Sequence, residues 1–409
     1  MLLFFYVPVH FFQIKIMLQR VAKSYFSKIH YFMKAGILGG GQLGRMLLQA
    51  AINYPVETHV MENDPHCPSA HLCHHFVVGD IKDFDAVYAF GKGLDTLTIE
   101  IEAVNVDALE RLENEGVMVI PNSRAIRTIK SKALQKQFYN DNQLPNAPFV
   151  LTKNAEQLLQ HMNMLPAVHK LALGGYDGKG VQILRNEKDF IKGFDEPAVL
   201  EKLVDIKSEI AIIVASGKSA EIAMYPCCEM LFDPIMNLLD FQICPAKLPE
   251  RVLWKAEAIA RKVVKDLQSP GIFAVEMFVD RNDDVWVNET APRVHNSGHH
   301  TIEANFCSQF DMLWRIMLGY PLGNTDLIMP SAIVNIVGAK AHNGNAVYNG
   351  MNEVMKLDNI FVHIYGKQQT KPGRKMGHVT ILSNERQELI HQAMKIKSTL
   401  QVESLVNYS

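Results

Sequence analysis

The run GIFAVEMFVDRNDDVWVNETAPRVHNSGHH, residues 271–300, decides the fold. Its first ten residues and the stretch 284–290 have strand composition. Arg281-Asn282-Asp283-Asp284 between them carries turn chemistry, so the spacing predicts a β-hairpin. With the turn centred on Asn282-Asp283, Arg281 pairs with Asp284, Asp280 with Val285, and so on to Glu276 with Glu289. The two glutamates would then be cross-strand neighbours with Cβ atoms about 4.5–5.5 Å apart. Like charges so placed destabilise a hairpin unless a cation bridges them or one is protonated. Carboxylate oxygens, with the Asn288 amide beside them, suit Mg²⁺ that keeps waters and nucleotide phosphates in its shell. A slip of one residue would put the two side chains on opposite faces. Arg293, His295, Asn296 and His300 follow around Gly298 in a donor-rich loop.

Upstream, 165–184 reads LPAVHKLALGGYDGKGVQIL. A strand delivers Lys170, and the loop after it can fold over phosphates with backbone N–H donors and one cation. It lacks the Gly-Lys-Ser/Thr of a P-loop. VLEKLVDIKSEIAI (199–212) places Glu201 on one strand and Glu209 at the opening of the next. The stretch 119–145 reads as a strand and a basic helix with Lys130, Lys132 and Lys136, stopped near Pro145; a solvated cationic face is the plain reading of such a run. A carboxylate pair for Mg²⁺, a glycine loop and cations on separate strands together mean nucleoside triphosphate chemistry, with catalysis by positioning and charge neutralisation.

Nearer the amino end, KAGILGGGQLGRMLLQAAINYP (34–55) predicts a strand over 35–38, a glycine turn, and a helix with Leu43, Met46, Leu47 and Ala50 on one face up to Pro55. Gly39, Gly41 and Gly44 match G-x-G-x-x-G, and VETHVME (56–62) ends in Glu62, so a dinucleotide site is one reading. Any phosphate can use such a helix amino end, however. HCPSAHLCHH (66–75) crowds six soft ligands, but their spacings fit no common closed zinc pattern. TLTIEIEAVNVDALERL (96–112) carries Glu100 and Glu102 on one strand face, either as a ligand site at the carboxyl end of a parallel strand or as a solvated edge.

Length and composition narrow the class. The 409 residues correspond to about 2.7 domains. With 41 Lys and Arg against 43 Asp and Glu, bulk charge holds the chain on neither nucleic acid nor membrane. No apolar run is long enough for a transmembrane helix. Six cysteines without a CxxC pair suggest a reduced, cytoplasmic protein, with Cys227-Cys228 serving as packing. Residues 1–32 contain nine aromatics, four Lys or Arg and no acid. They lack the charge order and cleavage site of a secretory signal, and the expectation is a non-native extension with the true start at Met33.

GGGQLGRM (39–46), LTIEIEAVNVDAL (97–109), GGYDGKG (174–180), VNETAPRVHNSGHH (287–300) and KPGRKMGHV (371–379), in this order, resemble the 5-(carboxyamino)imidazole ribonucleotide synthases, ATP-grasp enzymes of de novo purine biosynthesis. The resemblance runs from Met33 to about Ser383. It implies an α/β chain with a Rossmann-like domain over 33–130, a two-lobed ATP-grasp region over 131–328 (small lobe 150–225) and a small carboxyl-terminal domain over 329–409. It also implies carboxylation of aminoimidazole ribonucleotide by bicarbonate and ATP through carboxyphosphate, with ATP and Mg²⁺ required, and a homodimer. Lys132, Lys170 and the loop Gly175, Tyr176, Asp177, Gly178, Lys179 and Gly180 would hold the ATP phosphates. Glu201 and Glu209, with Lys202 and Val204, would hold adenine and ribose, and Glu276 and Glu289 the Mg²⁺ with Asn288 alongside. Arg293, with His295, would face carboxyphosphate, and Asp177 beside Tyr176 the substrate amine. Gln42, Leu43, Gly44, Glu100, Lys367, Arg374 and Lys375 would take the ribonucleotide. One segment departs: in YPCCEMLFDPIMNLLDF (225–241) the family's usual His is replaced by Phe232 or displaced, in a loop about two residues longer, which puts any nucleotide contact there in doubt. A nicotinamide-linked oxidoreductase would leave the glutamate hairpin and the glycine loop without a role. An ATP-binding module without catalysis would tolerate loss of Asp177, Arg293 or Lys375, and all three are present. A ligase of the same fold with another acceptor differs in what the Arg374-Lys375 turn binds.

Overall fold

The computed structural model describes residues 32–174, 180–232 and 239–405. The extension before Phe32, the loop residues Gly175, Tyr176, Asp177, Gly178 and Lys179, and the side chain of Phe232 with the segment 233–238 lie outside the described residues. No described helix is long and apolar enough to cross a membrane.

Short apolar strands alternating with amphipathic helices build the first domain, the pattern of a parallel α/β sheet. β1 (Met33–Leu38), β2 (Val56–Glu62), β3 (His75–Val78), β4 (Thr96–Ile99) and β5 (Met118–Ile120) are parallel in the order β3-β2-β1-β4-β5. The helix Gln42–Ala51 buries Leu43, Met46 and Leu47, three of the four positions expected from spacing, and its amino end meets the gap where β1 neighbours β4. That gap is where open sheets of this topology bind ligands.

The basic helix expected over 119–145 is two helices, Ser123–Lys130 and Lys132–Asp141, because Ser131 leaves helical geometry (φ −102°, ψ 118°). Its hydroxyl caps the second helix at Leu134 N–H, the preference of Ser for that position. The small lobe is one antiparallel sheet, order β6-β9-β7-β8, made of β6 (Phe149–Thr152), β7 (Ala167–Leu171), β8 (Val181–Leu184) and β9 (Ala198–Lys202). It ends at Lys202 rather than 225. β10 (Ile206–Ser216) and β11 (Ile222–Met224) already belong to the large sheet, where Ile210, Ile212 and Val214 of β10 are fully buried under the helix Glu250–Leu267.

The large sheet continues with β12 (Cys228–Phe232), β13 (Leu239–Cys244), β14 (Gly271–Asp280), β15 (Val285–Ala291), β16 (Ser331–Val337), β17 (Gly344–Asn349, in a separate small sheet), β18 (Ile360–Ile364), β19 (Gln369–Thr370, beside β17) and β20 (Lys375–Leu382). Its order is β15-β14-β10-β12-β13-β16-β20-β18, with β11 beside β10. The boundary expected at 328 therefore separates strands of one sheet: Phe241 to Cys244 of β13 pair with Val334 to Ser331 of β16.

The hairpin differs from its expected register at the turn and agrees at the glutamates. Val279 pairs with Val285, Phe278 with Trp286 and Met277 with Val287, one residue off the expected pairing, because Asp283 takes a left-handed conformation (φ 63°) in a longer turn. Asn288 then has no partner, and Glu276 pairs with Glu289. This β-bulge restores the opposition of the two carboxylates and turns the Asn288 side chain toward Lys170.

Candidate active site

Glu276 and Glu289 face each other across β14 and β15. Glu209 of β10 adds a third carboxylate to their surroundings: it pairs with Phe278, and Ala211, two residues on, pairs with Glu276. Burial raises the Glu276 carboxyl well above the ordinary range, and the nearby Glu289 and Glu209 raise it further against the pull of Lys375. Burial likewise pushes Glu209 up to about 7, with Lys170 opposing and Glu289 adding to it. Three oxygen donors that repel one another when ionised form a site whose strain a dication relieves. The donor set fits Mg²⁺. His295 Nδ1 lies 3.6 Å from Glu276 Oε1 and 2.9 Å from Ser297 Oγ. Burial, with Arg293 and Lys375 beside it, holds that imidazole well below its usual pKa and so neutral.

Lys170 reaches this cluster from the small lobe. Its Nζ donates to Asn288 Oδ1 at 3.1 Å and sits 3.2 Å from Glu201 Oε1. Glu201 also meets Lys136 Nζ at 2.9 Å, and both partners are nearly sealed from solvent, at 4% and 3% exposure. Burial works to raise the Glu201 carboxyl, yet Lys170 and Lys136 outweigh it and hold it below the ordinary range. The carboxylate that the resemblance assigns to adenine and ribose is thus engaged by two ammonium groups, those of Lys136 and Lys170. Lys136 is buried rather than solvated. It shares the inner face of its helix with Gln135 and Tyr139, whose side chains fix β15: Gln135 Oε1 accepts from Thr290 N–H at 2.8 Å and from Tyr139 Oη at 2.7 Å. Lys132, at the start of that helix, donates its backbone N–H to Ala172 O at 2.8 Å, while Lys202 is exposed and Val204 half-buried beyond β9. Gly180 closes the glycine loop with φ 77°.

Glu100 and Glu102 do not share a strand face, because β4 ends at Ile99. Glu102 Oε1 pairs with Arg293 Nε at 2.9 Å. Glu100 turns the other way: Gly41 N–H donates to its Oε2 at 2.5 Å and Leu43 N–H to its Oε1 at 3.1 Å, while Gly40 N–H donates to Glu62 Oε2 at 3.1 Å. The helix amino end that would grip a pyrophosphate is already satisfied by two carboxylates of the chain itself. This removes the dinucleotide reading, since the Gly40, Gly41 and Leu43 N–H groups are already bonded. Gln42 Oε1 accepts from Lys367 Nζ at 2.8 Å, joining residues 325 apart in sequence, and Lys367 Nζ also donates to Lys375 O at 2.8 Å. Arg374 Nη1 donates to Gln369 O at 2.8 Å beside that turn. Glu100→Ala is expected to leave buried N–H groups unsatisfied and to cost about 1–3 kcal/mol in a denaturant titration. Glu100→Gln keeps an acceptor for one of the two N–H groups but turns an NH2 toward the other, so it should recover only part of that loss.

Three family models match in sequence order: a ribonucleotide synthetase preATP-grasp domain over residues 32–130, an ATP-grasp domain over 137–310, and a phosphoribosylaminoimidazole carboxylase C-terminal domain over 331–392. The N5-carboxyaminoimidazole ribonucleotide synthase of Staphylococcus aureus (strain COL) is 32% identical over 368 residues, covering 88% of this chain and 95% of that protein. The chain belongs to the N5-carboxyaminoimidazole ribonucleotide synthase family. The solved N5-carboxyaminoimidazole ribonucleotide synthetase of Thermotoga maritima superposes with a TM-score of 0.85 at 34% identity, over 91% of this chain and all (100%) of that one. The Aspergillus clavatus synthase, solved with ADP and 5-aminoimidazole ribonucleotide, gives 0.82 at 30%, over 90% and 98%. The chain spans 65% of the length of a plant relative, the chloroplastic phosphoribosylaminoimidazole carboxylase of Vigna aconitifolia, to which it is 34% identical over 87% of its own length. Within this synthase family's fold, the chain is an ATP-grasp ligase. Sequence reading missed Lys136 and Gln135 at its site. The one available signal was the polar face they share with Tyr139 next to an otherwise apolar strand.

Proposed function

We propose that this site carboxylates the exocyclic amine of 5-aminoimidazole ribonucleotide with bicarbonate and ATP, giving the N5-carboxyamino product, ADP and phosphate in purine biosynthesis. The observation that carries the reading is the Glu276–Glu289 pair with cations around it from separate parts of the chain: Lys170 of the small lobe on the neighbouring Asn288, Lys375 of the last domain acting on Glu276, and Arg293, held by Glu102, acting on the His295 that lies beside Glu276. Glu276 and Glu289, with Asn288 alongside, would hold Mg²⁺, which when bound neutralises charge on the ATP phosphates. Lys170, steadied by Asn288 and Glu201, meets those phosphates from the other side. Bicarbonate oxygen takes the terminal phosphoryl group, ADP leaves, and carboxyphosphate breaks down to carbon dioxide and phosphate. The substrate amine attacks carbon dioxide and gives up a proton, with Asp177 as acceptor and Tyr176 beside it. Arg293, fixed by Glu102, faces carboxyphosphate, and the neutral His295 donates or accepts a hydrogen bond there without adding charge. Gln42, Lys367, Arg374 and Lys375 take the ribonucleotide phosphate. A homodimer belongs to the same reading.

Phosphate release from Mg·ATP in bicarbonate buffer tests it. Release should depend on 5-aminoimidazole ribonucleotide and match an acid-labile carboxylated product. Release indifferent to the ribonucleotide would move the acceptor elsewhere, and bound nucleotide without release would mean a non-catalytic module. Asp177→Asn should keep nucleotide binding and lose most carboxylation, read as kcat against ATP affinity. Full carboxylation in that variant would remove Asp177 from its role.

A further inference from the structure

The six soft-ligand side chains crowded into residues 66–75 part company in the fold. Cys67 is buried, and His74 Nδ1 bonds the backbone N–H of Thr58 at 3.1 Å. His75 lands instead beside His59, its partner in the parallel register of β2 and β3. Both imidazoles converge on one carboxylate: Glu57 Oε1 lies 2.9 Å from His59 Nε2 and 3.3 Å from His75 Nε2. The two rings stack with centroids 4.5 Å apart and planes 23° apart. Glu57 and His59 are two residues apart on one strand and so share a face. Solvent reaches all three side chains, which are 31%, 17% and 57% exposed in chain order.

We propose that Glu57, His59 and His75 form a binding site for a borderline transition-metal dication such as Zn²⁺, separate from the nucleotide site. Two imidazoles and a carboxylate are the ligand set such ions prefer. With metal–ligand distances of about 2.0–2.2 Å, neighbouring ligand atoms sit about 3 Å apart; both imidazole nitrogens already lie at about that distance from Glu57 Oε1, and all three ligand atoms lie within 4.8 Å of one another. Little rearrangement is needed beyond loss of the Nε2 protons. Lys34, the partner of Glu57 on β1, opposes the ion. The positions left open face solvent and take water or a donor from another molecule. The site lies at the amino end of β2, whereas Glu62 at its carboxyl end touches the glycine turn, roughly 17 Å of strand away. Mg²⁺, which prefers oxygen ligands, should not compete.

Calorimetric titration of the full chain with zinc chloride, in excess Mg²⁺, tests the proposal. One equivalent should bind, and Glu276→Gln should retain it. His75→Ala, on an exposed edge strand, and His59→Gln should each weaken it by roughly tenfold or more. Lys34→Met should strengthen it. Cu²⁺ loaded in place of zinc should show electron-spin coupling to two nitrogens. Equal zinc affinity in the native chain and the His59→Gln/His75→Ala double variant overturns the proposal, as does loss of binding with Glu276→Gln.

Discussion

Glu276→Gln is expected to reduce Mg·ATP turnover by roughly 10²–10³-fold or more while making the metal-free protein more stable at pH 8. The two effects share one cause. The folded state raises the pKa of Glu276 above its unfolded value, so it favours the protonated carboxyl. Such a group contributes stability below its unfolded pKa, and that contribution is lost as pH rises toward the folded value. Glutamine resembles the protonated acid at every pH. The variant should therefore unfold with the native protein near pH 4.5 and outlast it at pH 8, by on the order of 2–4 kcal/mol. Thermal unfolding in chelator across that range is the measurement. Adding Mg²⁺ with ATP should stabilise the native protein far more than the variant. A variant less stable than the native chain at pH 8 without metal would show that repulsion between the carboxylates is not what the site stores.

Glu201→Leu should be the most destabilising single substitution among these residues. It strips Lys136 of its anionic partner inside the protein, and breaking a buried ion pair from one side typically costs about 3–5 kcal/mol. The Lys136→Met/Glu201→Leu double variant should recover most of that loss, because an apolar pair of similar volume replaces the ionic one. Lys170 then keeps Asn288 but loses its second anchor, so the apparent affinity for ATP should fall more than kcat. Urea unfolding of the two single variants and the double variant gives the coupling directly. A Glu201→Leu cost under about 1 kcal/mol would mean that the three side chains are loosely held.

The sequence makes the hairpin legible because two strand-like runs flank a turn, and it makes the glutamate pair legible because unbridged like charges have no structural reason to be there. Its register at the turn was not legible. Nothing local distinguishes a two-residue turn from the longer one Asp283 adopts, and the bulge at Asn288 cancels the difference only by the time the ladder reaches Glu289. Lys136 was hidden for another reason: a lysine in a basic helix shows nothing of the buried glutamate from another strand that it meets. Strict alternation along TLTIEIE puts Glu100 and Glu102 on one face, but β4 ends at Ile99 and the bend there sends them to different partners. Cys227 is a buried thiol, in keeping with packing, whereas the buried Cys228 lies in a cluster with Cys244 and His300, its Sγ 3.7 Å from His300 Nε2, which spacing in the sequence did not indicate.

A polypeptide stopped before Ser331 would expose the backbone N–H and C=O groups along β13, an unprotected sheet margin of the kind that recruits foreign strands and drives aggregation. The last domain is therefore a seam in the sheet rather than a removable module. The two-domain fragment should come out of expression as insoluble material, and a separately made carboxyl-terminal piece should rescue it by filling the vacant edge.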